Sequence, residues 1–262
     1  DNSGCSPAEC ELTYGDNRYT VDFDALERRA ADPAVKLMLL CNPHNPAGRV
    51  WTPEELRRIG DICLRRDILV VADEIHCELV MPGFRYTPFA SLSEEFARRS
   101  VTCASPSKAF NLAGVQVANI FAADPDTRGR IVRALEINET GMISPFAIEA
   151  LMAAYNEGDA WLDALNEYLW GNYVELRDHF AARLPQFPVL PLEGTYLVWI
   201  DCRAAGLSSA ELDRRLTAQA RVRINPGAMY GAAGEGFIRV NIACPRALLR
   251  EGIKRMTDLL TR

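Results

Sequence analysis

The sequence predicts an α/β protein: a mainly parallel sheet with covering helices, followed by a smaller C-terminal α+β unit. Three observations predict it. Short apolar runs alternate with amphipathic segments through the first half. Ile68 to Ala72 is apolar throughout, as central parallel strands are. Beyond about residue 160 the pattern changes to one long helical stretch, then short strands between helices. Two domains are expected, 1–168 and 169–262.

The elements follow in order. Val35 to Cys41 reads as a buried strand, and Asn42 to Gly48 as a Pro/Asn/Gly loop. Thr52-Pro53-Glu54-Glu55 holds a capping box with Pro at the first helical position. The helix it opens buries Leu56, Ile59, Ile62 and Cys63. Ile68 to Ala72 is the second strand, and Ser91-Leu92-Ser93-Glu94 reads as another capping box. Strands are expected at Ser100 to Ala104 and Val117 to Ala122. Trp161, Leu165, Leu169, Leu176 and Phe180 share helical spacing, which predicts a helix from about Ala160 to Leu184. Pro185, Pro188 and Pro191 end it. Strands at Thr195 to Asp201, Val222 to Ile224 and Phe237 to Ile242 follow, with helices at Ser208 to Ala220 and Pro245 to Leu260.

Composition narrows the function classes. The 262 residues carry 29 Lys plus Arg against 35 Asp plus Glu, a net charge of −6. That balance argues against nucleic acid or an anionic membrane as the main partner. Apolar residues make up 48%, too many for a disordered chain. No apolar run approaches the roughly 18 residues of a membrane helix. The eight cysteines are scattered, with no CxxC pair or other metal-ligand spacing, so no metal is expected. They imply a reduced, cytoplasmic chain. The chain opens on Asp1, in polar sequence with no signal peptide, and reads as a fragment or a processed chain.

Ligands of open α/β sheets lie outside the carboxyl ends of the strands. Three polar groups fall at such ends: Asn42 to Gly48, then Asp73-Glu74-Ile75-His76, then Ser105-Pro106-Ser107-Lys108. Together they describe a pocket holding an amine, an acid, an amide and hydroxyls. A lysine in an apolar-walled pocket can form a Schiff base, and an aspartate at the pocket base can pair with a protonated ring nitrogen. Pyridoxal 5′-phosphate (PLP) requires that combination. Strand alternation points Glu74 away from Asp73, so Glu74 has no catalytic role in this reading. Each residue also fits a plainer one. Lys108 suits a surface, Asp73 and the serines suit helix caps, Asn45 a turn, His76 a core, and Arg239 a structural ion pair. Tyr196 and Trp199 read as core or interface residues of the small domain.

The segments CNPHNPAGRVW, VADEIH, SPSKAFNLAG and GFIRVNIACPR, in this order, resemble the class I/II aminotransferase superfamily of fold type I. Within it they are most similar to the MalY/PatB group of cystathionine β-lyase-like C–S lyases. The resemblance runs from about Asn17 to the C-terminus. It implies that 1–168 is a partial PLP-binding large domain and 169–262 the small domain. It implies that Lys108 holds PLP covalently and then moves the Cα proton. Asp73 would pair with the pyridine nitrogen and Asn45 would hydrogen-bond the phenolic oxygen. His76 stands where many relatives place a Tyr near that oxygen. Ser105 and Ser107 would bind the phosphate, Arg239 would clamp the substrate α-carboxylate, and Tyr230 would approach the substrate. A homodimer is implied as well.

The sequence departs from the family in three places. Gln116 stands where many aminotransferases have a phosphate-binding Arg, and Met142 to Phe146 differs from the PNxFG-like run expected there. The family's N-terminal portion, with its glycine-rich phosphate loop and the aromatic that stacks on the ring, has no counterpart here. Residues 1–16 resemble the strand and loop leading into Tyr19 to Phe23. Three functions are consistent with the residues: β-elimination from a sulfur amino acid, transamination, and a non-catalytic PLP-fold module that binds or regulates.

Overall fold

The computed structural model describes residues 4–261. Residues 1–3 and Arg262, the outermost ends of the two expected domains, lie outside the described residues. The chain begins with a hairpin of β1 (Leu12–Gly15) and β2 (Arg18–Val21). Its turn residues Asp16 and Asn17 both take positive φ, 49° and 57°, which suits the twist of a tight hairpin. The helix α1 (Phe23–Ala30) is capped by Asp22, whose carboxylate accepts from Ala25 N. Then come β3 (Leu37–Cys41), α2 (Pro53–Arg65), β4 (Leu69–Asp73), α3 (Glu94–Arg98), β5 (Ser100–Ala104) and β6 (Asn119–Ala122). The reciprocal Thr52–Glu55 capping box opens α2 as its sequence predicts. The cap of α3 is Ser93 rather than Ser91, because the Ser91 hydroxyl donates to the Pro88 carbonyl.

The strands β3, β4 and β5 are parallel, and β6 closes the sheet antiparallel to β5. One face packs Leu40, Val70 and Ala72 against Leu56, Ile59 and Ile62 of α2 and against Phe96. Phe89 and Phe96 stack 5.2 Å apart, so close to Gly60 that a Cβ there would collide with the Phe96 ring.

The segment after β6 forms α4 (Pro125–Ile137) and α5 (Pro145–Glu157), two helices the sequence pattern does not announce. None of α4's residues is buried, so no core stripe marks it. Next, α6 (Asp159–Arg183) runs unbroken across residue 168, and its part from Leu169 to Phe180 packs in the C-terminal core.

The small sheet is antiparallel, ordered β7 (Leu197–Asp201), β9 (Phe237–Asn241), β8 (Asn225–Pro226). The helices α7 (Ser209–Arg215) and α8 (Arg246–Leu260) complete the unit. Three expectations shift here. The strand read at Val222 to Ile224 is displaced to Asn225–Pro226, the residues that pair with β9. The helix expected to Ala220 stops at Arg215 and continues as a π-helical turn, Leu216–Ala220. Thr195 is left-handed at φ 70° and lies outside β7. Tyr19 of the hairpin packs with Trp199 and Phe237, so the first strands close onto the last sheet. No helix among the described residues is long and apolar enough to cross a membrane.

Candidate active site

The carboxyl ends of β3, β4 and β5 set the first wall. Cys41, Asp73 and Cys103 stand in register across the three strands. Asp73 is exposed, and its Oδ1 accepts from Ile75 N at 3.2 Å. It has no ion-pair partner among the described residues. Alternation turns the next residue the other way. Glu74 is buried, its Oε1 accepts from Phe89 N at 2.9 Å, and burial raises its carboxyl above the usual range. Glu74 thus anchors the 86–89 segment and takes no part in the crevice.

Past β5 the chain turns through Ser105 to Lys108. The buried Ser105 hydroxyl donates to the Val117 carbonyl at 2.6 Å and accepts from Ser107 N at 3.1 Å. It is therefore already engaged in shaping the turn. The Ser107 hydroxyl makes no hydrogen bond among the described residues. Lys108 is half-buried, with no hydrogen bond or ion pair to its ammonium among them.

The second wall is the small sheet. Trp199, Arg239 and Asn225 are in register across its three strands, so they share one face. Arg239 reaches from it to the loop after β3: Nη1 donates to Asn45 Oδ1 at 2.8 Å, and Nη2 donates to Asn225 Oδ1 at 2.8 Å. The guanidinium carbon lies 4.9 Å from the Tyr230 ring centroid, a cation–π contact, and Tyr230 meets Trp199 edge-on. Arg239 Nε is buried and unpartnered. Sequence reasoning missed Asn225, which lies just beyond the run read as a strand.

Between the walls lies His76. Its ring meets Tyr196 edge-on at 5.6 Å, a contact that brings Tyr196 to the site, and its Nδ1 is buried without a partner. Burial first, then the positive charges of Lys108 and Arg239, push its pKa down to about 4. Both charges therefore lie near His76. His44, beside Asn45, is likewise pushed down to about 4 by burial and by Arg49, and its Nδ1 is also unpartnered. Both rings are neutral near pH 7.

Arg239 is thus in direct contact with Asn45 and Tyr230, His76 lies near Arg239 and Lys108, and Asp73 stands at the carboxyl end of β4. The Ser105 hydroxyl is occupied by Val117 and Ser107, whereas that of Ser107 has no hydrogen-bond partner among the described residues. Among the described residues the set offers an amine and a carboxylate without ion-pair partners, a neutral imidazole and a braced guanidinium whose planar fork suits a carboxylate.

Residues 2–256 match the family model for aminotransferase class I and II. Cystathionine beta-lyase PatB of Bacillus subtilis (strain 168) is 43% identical over 250 residues, 95% of this chain and 65% of that protein. Protein MalY of Escherichia coli (strain K12) is 36% identical over 242 residues, 91% of this chain and 61% of that one. The crystal structure of cystalysin from Treponema denticola, which contains pyridoxal 5′-phosphate, superposes with a TM-score of 0.95 at 35% identity. It covers 97% of this chain and 64% of cystalysin. The chain spans less than two thirds of the length of these relatives. With the fold, the crevice and the family match in agreement, the chain belongs to the aminotransferase class I and II family.

Proposed function

We propose that the chain supplies the lysine, the ring-nitrogen acid and the carboxylate clamp of a PLP-dependent C–S lyase acting on sulfur amino acids such as cystathionine. The observation that carries the reading is the Arg239 guanidinium, braced by Asn45 and Asn225, while Lys108 and Asp73 have no ion-pair partner among the described residues. The residues present fit PLP. Lys108 has a side-chain nitrogen free to hold the aldehyde carbon, and Asp73 has a carboxylate free to face the pyridine nitrogen. The Asn45 amide nitrogen donates to nothing among the described residues and would face the phenolic oxygen. His76 offers an unpartnered Nδ1 to the same end, and Ser107 a hydroxyl to the phosphate, with Ser105 setting the turn that presents it.

When bound, PLP supplies a sink for the electron pair released as the Cα–H bond breaks. The chain's residues do the rest. Arg239 binds the α-carboxylate and fixes which Cα bond faces Lys108. The Lys108 amine takes the Cα proton. Asp73 would hold a proton at the ring nitrogen. The neutral His76 adds no positive charge beside Lys108. The Cβ–S bond then breaks and the thiolate departs. Water completes the balance: one substrate and one water yield thiol, pyruvate and ammonium.

Transamination shares the steps up to loss of the proton, and the family match favours it as the second reading. Product analysis of the full-length protein with cystathionine decides. Thiol and keto acid without an added amino acceptor support elimination, whereas strict dependence on a 2-oxo acid establishes transamination. A full-length protein that stays colourless with added PLP would favour a non-catalytic module. The same reading places the protein in the cytoplasm as a homodimer. The thiols of Cys10, Cys41, Cys63, Cys77, Cys103, Cys202 and Cys244 form no disulfide among the described residues, which supports the first, and the exposed Met142 before α5 and Phe146 in its first turn support the second.

A further inference from the structure

The loop bearing Asn45 leaves β3 at Asn42, whose N donates to the Asp73 carbonyl at 3.0 Å, and among the described residues its one isolated bridge joins His44 and Arg49. Residue 193 holds it as well. Glu193 Oε2 accepts from Arg49 Nε at 3.1 Å and from Val50 N at 2.9 Å, and Oε1 accepts from Arg18 Nη2 at 2.7 Å. The main chain closes on the same loop, with Glu193 N and Gly194 N donating to the Gly48 carbonyl at 2.8 and 3.1 Å. A Cβ on Gly194 would come within 2.9 Å of both Pro43 and Val50. The other end of Arg49 reaches both carboxylate oxygens of Glu55, at 2.9 and 3.0 Å, and donates to the Tyr19 carbonyl. Arg49 and Glu193 are each only 2% exposed. Glu193 lies in the segment leading into β7, the strand whose Trp199 is in register with Arg239. The clasp therefore joins the loop of Asn45 to the sheet of Arg239.

We propose that Arg49 and Glu193 are positioning residues for the carboxylate clamp. They hold the loop so that Asn45 Oδ1 meets Arg239 Nη1, and so set how strongly the guanidinium grips an α-carboxylate. This rests on the reading of Arg239 as that clamp. Neither residue touches substrate. Their charges are buried and matched, so the pair keeps one geometry where a solvated pair would exchange partners.

The test uses the full-length holoenzyme and two probes, L-alanine, which carries a carboxylate, and ethylamine, which lacks one. Neither has a leaving group at Cβ. Binding is read from the cofactor absorption spectrum, so the result does not depend on elimination taking place. Glu193→Gln is expected to weaken L-alanine about tenfold, as small misplacements of a clamp do, and to leave ethylamine unchanged. In an Asn45→Ala background the same substitution is expected to have no further effect on L-alanine, the non-additivity of residues acting through one contact. Should Glu193→Gln not fold, Arg49→Lys is read the same way. Equal weakening of both probes, undiminished L-alanine binding, or additivity with Asn45→Ala would each overturn the proposal. An Arg239→Lys control that keeps the wild-type preference for L-alanine would refute the clamp itself, and with it this role for Arg49 and Glu193.

Discussion

Arg239 and Lys108 both lie near His76 and lower its pKa, yet they are held in contrasting ways. Arg239 has an amide oxygen on each terminal nitrogen and an aromatic ring beneath its plane. Lys108 and Asp73 have no ionic partner among the described residues. A guanidinium that must meet a carboxylate in one geometry gains from being fixed beforehand. An amine that must exchange partners, and an acid that must stay open to a ring nitrogen, are served by being left unpaired. In the proposed function the difference separates the group that would bind from the groups that would react.

That contrast can be broken from either side. On the reacting side, Lys108→Ala should remove the borohydride-bleachable absorption band and lower kcat by at least about a thousandfold, the loss typical of an essential nucleophile and base. An intact band in that variant would exclude Lys108 as the attachment point. On the binding side, Arg239→Lys should raise KM by about a hundredfold with a smaller change in kcat, since a point charge cannot reproduce the planar fork. Steady-state kinetics with a sulfur amino acid separate the two parameters, and a fall confined to kcat would reverse the assignment.

Sequence alone reveals the reacting side better than the binding side, for a physical reason. Asp73 and Lys108 follow runs whose apolar character marks central strands, so their places at the carboxyl edge can be read locally. The bracing of Arg239 is non-local. Asn225 follows Val222 to Ile224, whose apolar residues suggest a strand, but pairing occurs at Asn225–Pro226. Glu193 and Arg49 meet 144 positions apart, and nothing in either local pattern announces it. The helices α4 and α5 escape detection because many of their apolar side chains, Ile137, Phe146 and Met152 among them, are exposed and lie along no single core stripe.

The neutral imidazoles sharpen the contrast. His44 and His76 have folded pKa values lowered to about 4, from an ordinary 6.5, so the unfolded chain takes up their protons first. Stability is fully present above about pH 6.5 and is lost as pH falls toward 4, by up to ~3 kcal/mol for each ring. Thermal melting across that window should show the loss, and His76→Asn should flatten part of it. A melting temperature level from pH 6.5 to 4 would show these rings to be protonated in the folded protein. The smallest effect belongs to a cap remote from both walls: Ser93→Ala should cost about 1 kcal/mol by denaturant melt and leave KM unchanged. A shift in KM would mean that α3 influences the crevice.

The central claim, that the unpaired amine at position 108 is the cofactor's anchor, is tested most directly by mass. The full-length protein, loaded with PLP and reduced with borohydride, is digested and its peptides are weighed. Within these 262 residues the lysines are Lys36, Lys108 and Lys254, and any lysine elsewhere in the full-length protein is read in the same digest. The account predicts the pyridoxyl mass on the peptide containing Lys108 and on neither of the others. Label on another lysine, or on none, would contradict it.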